Sequence, residues 1–126
     1  MKKYRFSNNP EDYYNNAITK YNLEDFTGAL SDLNEAIEMK PDYAEAYFSR
    51  GLLYGKEMHK YNKAIKDFNK AIKLNPNYAE AYYNRGVTHR IMDDLKNAYS
   101  DWYKAEELGY GEAKILIEKY NKLARK

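Results

Sequence analysis

The side chains that could do chemistry in this chain are two histidines, a few adjacent carboxylates and several clusters of lysine. Histidine is the commonest general base. His59 stands among Lys56, Glu57 and Lys60, and His89 falls inside an apolar periodic stretch. They share no setting, and there is no cysteine anywhere to join them in a metal site or a nucleophilic pair. Asp93-Asp94 and Glu106-Glu107 are neighbours in sequence, and neighbours on a helix point in different directions. They read as turn and surface charge. No glycine-rich phosphate loop and no nucleophile motif occurs. The chain is therefore not expected to be an enzyme, and no catalytic residue, cofactor site or metal site is assigned.

The cations offer a different chemistry. Lys63, Lys66, Lys70 and Lys73 form a stripe at helical spacing, and Lys119, Lys122, Arg125 and Lys126 close the chain. Such a stripe can hold phosphates by counterion release. The formal charge of +2 is too small to argue for nucleic acid by itself. Asp32, Glu35 and Glu38 upstream are expected to provide opposite charge, and a solvated face is the plainer reading. Polyanion binding stays a weak alternative. No apolar run reaches the roughly 18 residues of a membrane span, so no membrane role is expected. The basic segment Met1–Pro10 lacks the apolar core of a signal peptide, which points to a cytoplasmic setting.

These residues are positioned by a repeat. Ala44-Glu45-Ala46-Tyr47-Phe48-Ser49-Arg50-Gly51 returns 35 residues later as Ala79-Glu80-Ala81-Tyr82-Tyr83-Asn84-Arg85-Gly86. Pro41-Asp42-Tyr43 returns as Pro76-Asn77-Tyr78. The pairs Ala29/Ala36, Ala64/Ala71 and Ala98/Ala105 put small residues on one face of a helix B. Leu33, Phe68 and Trp102 stand four residues after the first Ala of each pair. Upstream lies a helix A, with Tyr13, Tyr47 and Tyr82 followed four residues on by Ala17, Gly51 and Gly86. Glycine in a helix interior costs about 1 kcal/mol relative to alanine, so Gly51 and Gly86 imply close helix contact. The periodicity predicts helices over 10–23, 26–39, 44–57, 61–74, 79–92, 95–108 and 112–124. One residue more in the second A–B turn accounts for the 35-residue spacing.

A period near 34 residues with this pattern resembles the tetratricopeptide repeat, a helix-turn-helix unit. The match is Tyr47, Gly51, Tyr54, Ala64, Phe68, Ala71 and Pro76 in the second unit. It is Tyr82, Gly86, Ala98, Trp102 and Ala105 in the third, and Tyr13, Ala17, Ala29, Leu33, Ala36 and Pro41 in the first. Lys20 and His89 replace Tyr54, Asn16 replaces Arg50 and Arg85, and Tyr110 stands where proline is expected. The resemblance implies an all-α right-handed solenoid: an N-terminal arm (1–9), three repeats (10–43, 44–78 and 79–111) and a capping helix (112–126). The cap is expected to turn Ala113, Leu116, Ile117, Tyr120 and Leu123 inward and its charges outward.

The resemblance also implies a function. Members of this family usually bind an extended peptide or a helix on the concave surface built by A helices. The implied groove residues are Glu11, Tyr14, Asn15, Ile18 and Tyr21, then Glu45, Phe48, Ser49, Leu52 and Lys56, then Glu80, Tyr83, Asn84, Val87 and Arg90. Tyr14, Phe48 and Tyr83 are expected to form an aromatic row there. Ile18, Leu52 and Val87 either flank it or pack between A helices. The acidic row Glu11, Glu45 and Glu80 suits a ligand with a basic residue, and the arm, through Tyr4, Arg5 and Phe6, could fill the groove or stay disordered. A non-catalytic protein or peptide scaffold follows, with self-association into a homo-oligomer as an alternative. One subset of the family clamps the acidic C-terminal tail of heat-shock chaperones with Lys, Asn and Arg. Here those places hold Tyr14, Ile18, Ser49, Glu80 and Asn84, so such tails are not expected as partners.

Overall fold

A computed structural model describes residues 4–125. Among them every regular element is helical: α1 (Pro10–Asn22), α2 (Phe26–Met39), α3 (Ala44–Leu52), α4 (Tyr61–Leu74), α5 (Ala79–Ile91), α6 (Leu95–Glu107) and α7 (Glu112–Ala124). A π-helical turn, Leu53–Glu57, extends α3. α1 packs on α2, α3 on α4 and α5 on α6, and the hairpins stack through α2–α3, α4–α5 and α6–α7. This is a helical repeat solenoid. No helix among the described residues is long and apolar enough to cross a membrane.

The six register alanines are all fully buried, which lets neighbouring backbones approach. The A and B helices of each hairpin then fit by reciprocal size. A Cβ on Gly51 would sit 2.7 Å from the Phe68 ring, and one on Gly86 would sit 2.6 Å from Trp102 Nε1. In the first hairpin the smaller Leu33 leaves room for Ala17 in the same core cluster. The series Leu, Phe, Trp on helix B is thus answered by Ala, Gly, Gly on helix A.

A polar clamp joins successive hairpins. Arg50 donates to both carboxylate oxygens of Asp67, at 2.8 and 2.7 Å, and to Asn34 Oδ1 at 2.9 Å. Arg85 repeats this with Asp101, at 2.9 and 2.7 Å, and with Asn69 at 2.9 Å. Each Arg ties its own helix B to the preceding one. In the first hairpin Asn16 stands at the Arg position, and Lys20 Nζ takes over, 2.8 Å from Asp32 Oδ2.

The extra residue of the second hairpin is absorbed before the turn. The closing backbone bonds run from Asp25 N to Lys20 O and from Asp94 N to His89 O, but from Lys60 N to Tyr54 O. The π turn takes up the additional position inside the helix, which corrects the expectation of a longer loop. Each A–B turn contains one left-handed residue, Glu24 (φ 62°), His59 (φ 54°) and Asp93 (φ 63°). Asp25 and Asp94 cap the next helix by accepting from the N–H of Gly28 and Asn97.

Both ends differ from expectation. The described part of the arm folds back over α1 and α2 and does not enter the groove. The Phe6 ring lies 4.4 Å from that of Tyr13, Ser7 Oγ donates to Asp12, and Arg5 pairs with Glu35 and Glu38. Residues 1–3 lie outside the described residues, as does Lys126. At the other end Trp102 stacks on Tyr120, with centroids 5.4 Å apart, so α7 does cover the third hairpin. Its outer face is not wholly charged, because Leu123 and Ile115 are exposed.

Candidate peptide-binding groove

α1, α3 and α5 lie side by side, and their shared face is organised by side-chain links between hairpins. Ser49 Oγ donates to Tyr14 Oη at 3.4 Å. Tyr21 donates to Glu57 at 2.8 Å and rests edge-on against Phe26. Burial first, then the Glu57 carboxylate, pushes the Tyr21 phenol up to about 12.

Between α3 and α5 this face opens into a cavity of about 140 Å³. Leu52, Val87 and Ile91 form its apolar wall, with Lys56, His59 and Asn84 at its polar side. Gly55 borders this space, and a Cβ there would lie 3.3 Å from that of Ala64. Gly55 lies four residues after Gly51, where the other A helices carry Tyr21 and Arg90. Tyr21 is drawn into its contact with Phe26, and the Arg90 guanidinium lies over Tyr120 of α7, 5.6 Å from the ring centre. No large side chain occupies the corresponding place in the second hairpin. Ile18 and Ile91 are exposed, and Leu52 and Val87 are half-buried.

The expected aromatic row is only partly presented. Phe48 is buried, 4.9 Å from the Tyr78 ring and 5.9 Å from Phe68, and belongs to the core. Tyr14 and Tyr83 are half-buried, because each also has an aromatic neighbour. Tyr14 faces Tyr43 at 5.3 Å and Tyr83 faces Tyr110 at 4.8 Å. Each helix-A aromatic therefore pairs with a tyrosine from the loop that enters the next helix. Tyr110 serves as the third member although its loop is shorter. Ala113 N bonds to Tyr110 O as Ala46 N bonds to Tyr43 O and Ala81 N to Tyr78 O.

Glu11, Glu45 and Glu80 are exposed along the same edge, joined by Glu112 at its end. Burial raises the phenols of Tyr43 and Tyr110 to about 12, with further upward pressure from Glu11 on the first and Glu112 on the second. Tyr78 is raised as well, by burial and then by Glu45. All three are neutral hydroxyls at ordinary pH. The edge is thus a file of phenols and carboxylates.

Asn15 is exposed, and Asn84 donates to Glu80 O of its own helix. Arg90 belongs to the α5–α7 contact rather than to an open groove. On the opposite face the lysine stripe lacks the partners expected of it, since Asp32 pairs with Lys20 and Glu35 and Glu38 pair with Arg5. Lys63 and Lys70 instead lie over Tyr54 and Tyr47. Among the described residues no group of acidic and histidine side chains is placed to hold a metal.

The phenol file escaped sequence reasoning. The recurrence of Pro-x-Tyr in 41–43 and 76–78 was the available signal. It did not show that each tyrosine meets an aromatic from the preceding helix A.

A profile of the TPR repeat matches residues 19–57 and 56–90. No curated protein matches the sequence. Among solved structures, the crystal structure of MamA superposes with a TM-score of 0.78 at 28% identity, over 85% of this chain and 62% of that one. The chain thus spans about three fifths of MamA. The first TPR of Spaghetti (RPAP3), bound to the HSP90 peptide SRMEEVD, gives 0.87 at 20% identity, over 95% and 96% of the two chains. The Arabidopsis OM64 TPR domain gives 0.86 at 22%, over 92% and 98%. The last two likenesses concern the fold alone.

Proposed function

The chain belongs to the tetratricopeptide repeat family, whose members generally serve as protein–protein interaction scaffolds, and from that premise we propose that it holds a partner segment on the α1–α3–α5 face. It acts without catalysis, as a scaffold or adaptor. The observation that carries this reading is the cavity beside Gly55. It is walled by Leu52, Val87 and Ile91 and has the size of one aliphatic or aromatic side chain. An exposed apolar patch with a polar rim marks an interaction site.

The test is selection from a random peptide library on the intact protein. Selected peptides should share a large apolar residue. They should lose about tenfold in affinity for a Leu52→Asn/Ile91→Asn variant of unchanged helicity, since burying one such side chain is worth about 1.5–3 kcal/mol. Equal binding to both proteins would remove the cavity from the site.

The acidic-tail ligand is not proposed. Tyr14, Ile18, Ser49, Glu80 and Asn84 provide no cation, and Glu80 repels carboxylates. The peptide SRMEEVD should show no measurable heat in titration calorimetry, and micromolar affinity would overturn this exclusion. Self-association is favoured by one observation, the exposed Ile115 and Leu123 on the outside of α7. Sedimentation that changes with concentration would support it.

A further inference from the structure

The three members of the phenol–carboxylate file are not equally filled. In the first, Lys40 lies 4.6 Å from the centre of the Tyr43 ring and 3.5 Å from Glu11. Its ammonium is held by an aromatic face on one side and a carboxylate on the other. Cation–π contact of this kind is attractive and strengthens as the site dries. In the second member, Asn75 stands at the Lys40 position, and its side chain is bent back to accept from Asn77 N. In the third, the position after α6 falls to Gly109, four residues after Ala105 as Lys40 is four after Ala36. Gly109 has φ +97°, a conformation that disfavours any side chain, and nothing lies within 4 Å of where a Cβ would be.

The loop is also shorter there. Ala105 to Ala113 spans eight positions, where Ala36 to Ala46 and Ala71 to Ala81 span ten. The outcome is an open cleft of about 360 Å³ lined by Asn75, Asn77, Tyr78, Glu80, Gly109 and Tyr110. Glu80 corresponds to Glu11, Tyr110 to Tyr43, and the missing Gly109 side chain to that of Lys40. Among the described residues Glu80 and Glu112 form no ion pair, and no cation lies over the Tyr78 or Tyr110 ring.

We propose that this cleft is the receptor for a lysine side chain of the partner segment, held between Glu80 and the Tyr110 ring as Lys40 is held within the chain. This rests on the reading of the protein as a peptide-binding scaffold and adds the chemistry of one ligand residue to it. The first unit is closed by its own lysine, and the third is the same box without one. Recognition of the cation at the third unit and of an apolar residue beside Gly55 gives the partner segment a basic and an apolar anchor.

The experiment compares two capped pentapeptides, Ala-Leu-Lys-Leu-Ala and its norleucine counterpart, by amide shift mapping on the full chain. The lysine peptide should move the amides of Glu80, Gly109 and Tyr110 with about fivefold higher affinity than the norleucine peptide. Glu80→Gln should reduce it to the norleucine level. Lys40→Gly empties the first box, so the lysine peptide should then also move Glu11 and Tyr43. Equal response to both peptides, an undiminished response in Glu80→Gln, or silence at Glu11 and Tyr43 in Lys40→Gly each overturn the proposal. Leu52, Val87 and Ile91 report separately. If they respond while Gly109 and Tyr110 do not, the cleft fails and the cavity reading survives. If only the cleft residues respond, the lysine receptor stands and the cavity reading fails.

Discussion

The first and third hairpins have the same backbone plan and solve three of its contacts differently. The first pairs Leu33 with Ala17, ties Asp32 to Lys20, and fills its edge box with Lys40. The third pairs Trp102 with Gly86, ties Asp101 to Arg85, and leaves its box open at Gly109. In the core, a larger residue on one helix is matched by a smaller one on the other, so the space stays filled. At the edge no such compensation occurs. Loss of the lysine is accompanied by a shorter loop and a glycine, and the space stays empty. A repeat tolerates exchange where volume must be conserved, and an uncompensated exchange marks a place where packing is not the constraint.

The ion pairs give the sharpest break between the two hairpins. Arg85 is mostly covered and binds Asp101 with both arms, whereas Lys20 is partly exposed and makes a single contact. Arg85→Met strands a buried carboxylate and should cost about 3 kcal/mol. Lys20→Met should cost less, about 1–2 kcal/mol, because Asp32 is also buried but Lys20 is itself partly exposed and gives it a single contact. Urea unfolding of both variants measures the gap, and equal losses would show that the clamp is no stronger than its first-hairpin substitute.

The core contacts come next. Gly86→Leu drives a side chain into Trp102 and should cost about 1–3 kcal/mol or more. Ala17→Gly in the first hairpin removes only a methyl and helix propensity, at about 1 kcal/mol. A Gly86→Leu protein that melts with the wild type would place Trp102 elsewhere.

Titration acts on all hairpins together. The phenols of Tyr21, Tyr43 and Tyr110 are raised from 10.0 to about 12 by burial. Unfolded tyrosines ionise first, so the stability these groups contribute is complete below pH 10 and is lost as pH rises through about 12. Phenolate absorbance should therefore rise together with the loss of helical dichroism. Asp94 acts at the acid end. Its carboxyl is lowered by the Asn97 side chain and then by the Asn97 N–H, so its contribution holds above the usual aspartate range and fades as pH falls below it.

The smallest effect is in the turns. Glu24→Gly relieves a left-handed glutamate and should raise stability by about 0.5 kcal/mol, net of the entropy cost of glycine. Asp93→Gly should do the same in the third hairpin. A loss of stability at either site would mean that the side chain contributes more than its backbone strain.

Repetition made the hairpins legible in the sequence. The alanine pairs fixed the B helices, and the recurring glycines announced close contact between A and B helices, which falls at Phe68 and Trp102. What stayed hidden depends on where chain segments meet. Phe48 occupies the position of Tyr14 and Tyr83, but it lacks a hydroxyl and sinks between Phe68 and Tyr78. Arg5 could not be seen to claim Glu35 and Glu38, because the arm has no repeat of its own to set its course. The Lys40 box joins Glu11 to Tyr43 across a whole hairpin, a distance at which spacing has no meaning.

Trp102 is the one tryptophan of the chain. It lies beneath α7, stacked on Tyr120, while the first hairpin is distant from it along the solenoid. Its fluorescence is therefore a local gauge of the last seam, whereas far-ultraviolet dichroism sums over every helix. Followed through one thermal scan, the two signals separate detachment of the final helix from melting of the whole array. An emission midpoint below the dichroism midpoint would measure how far the chain departs from all-or-none unfolding.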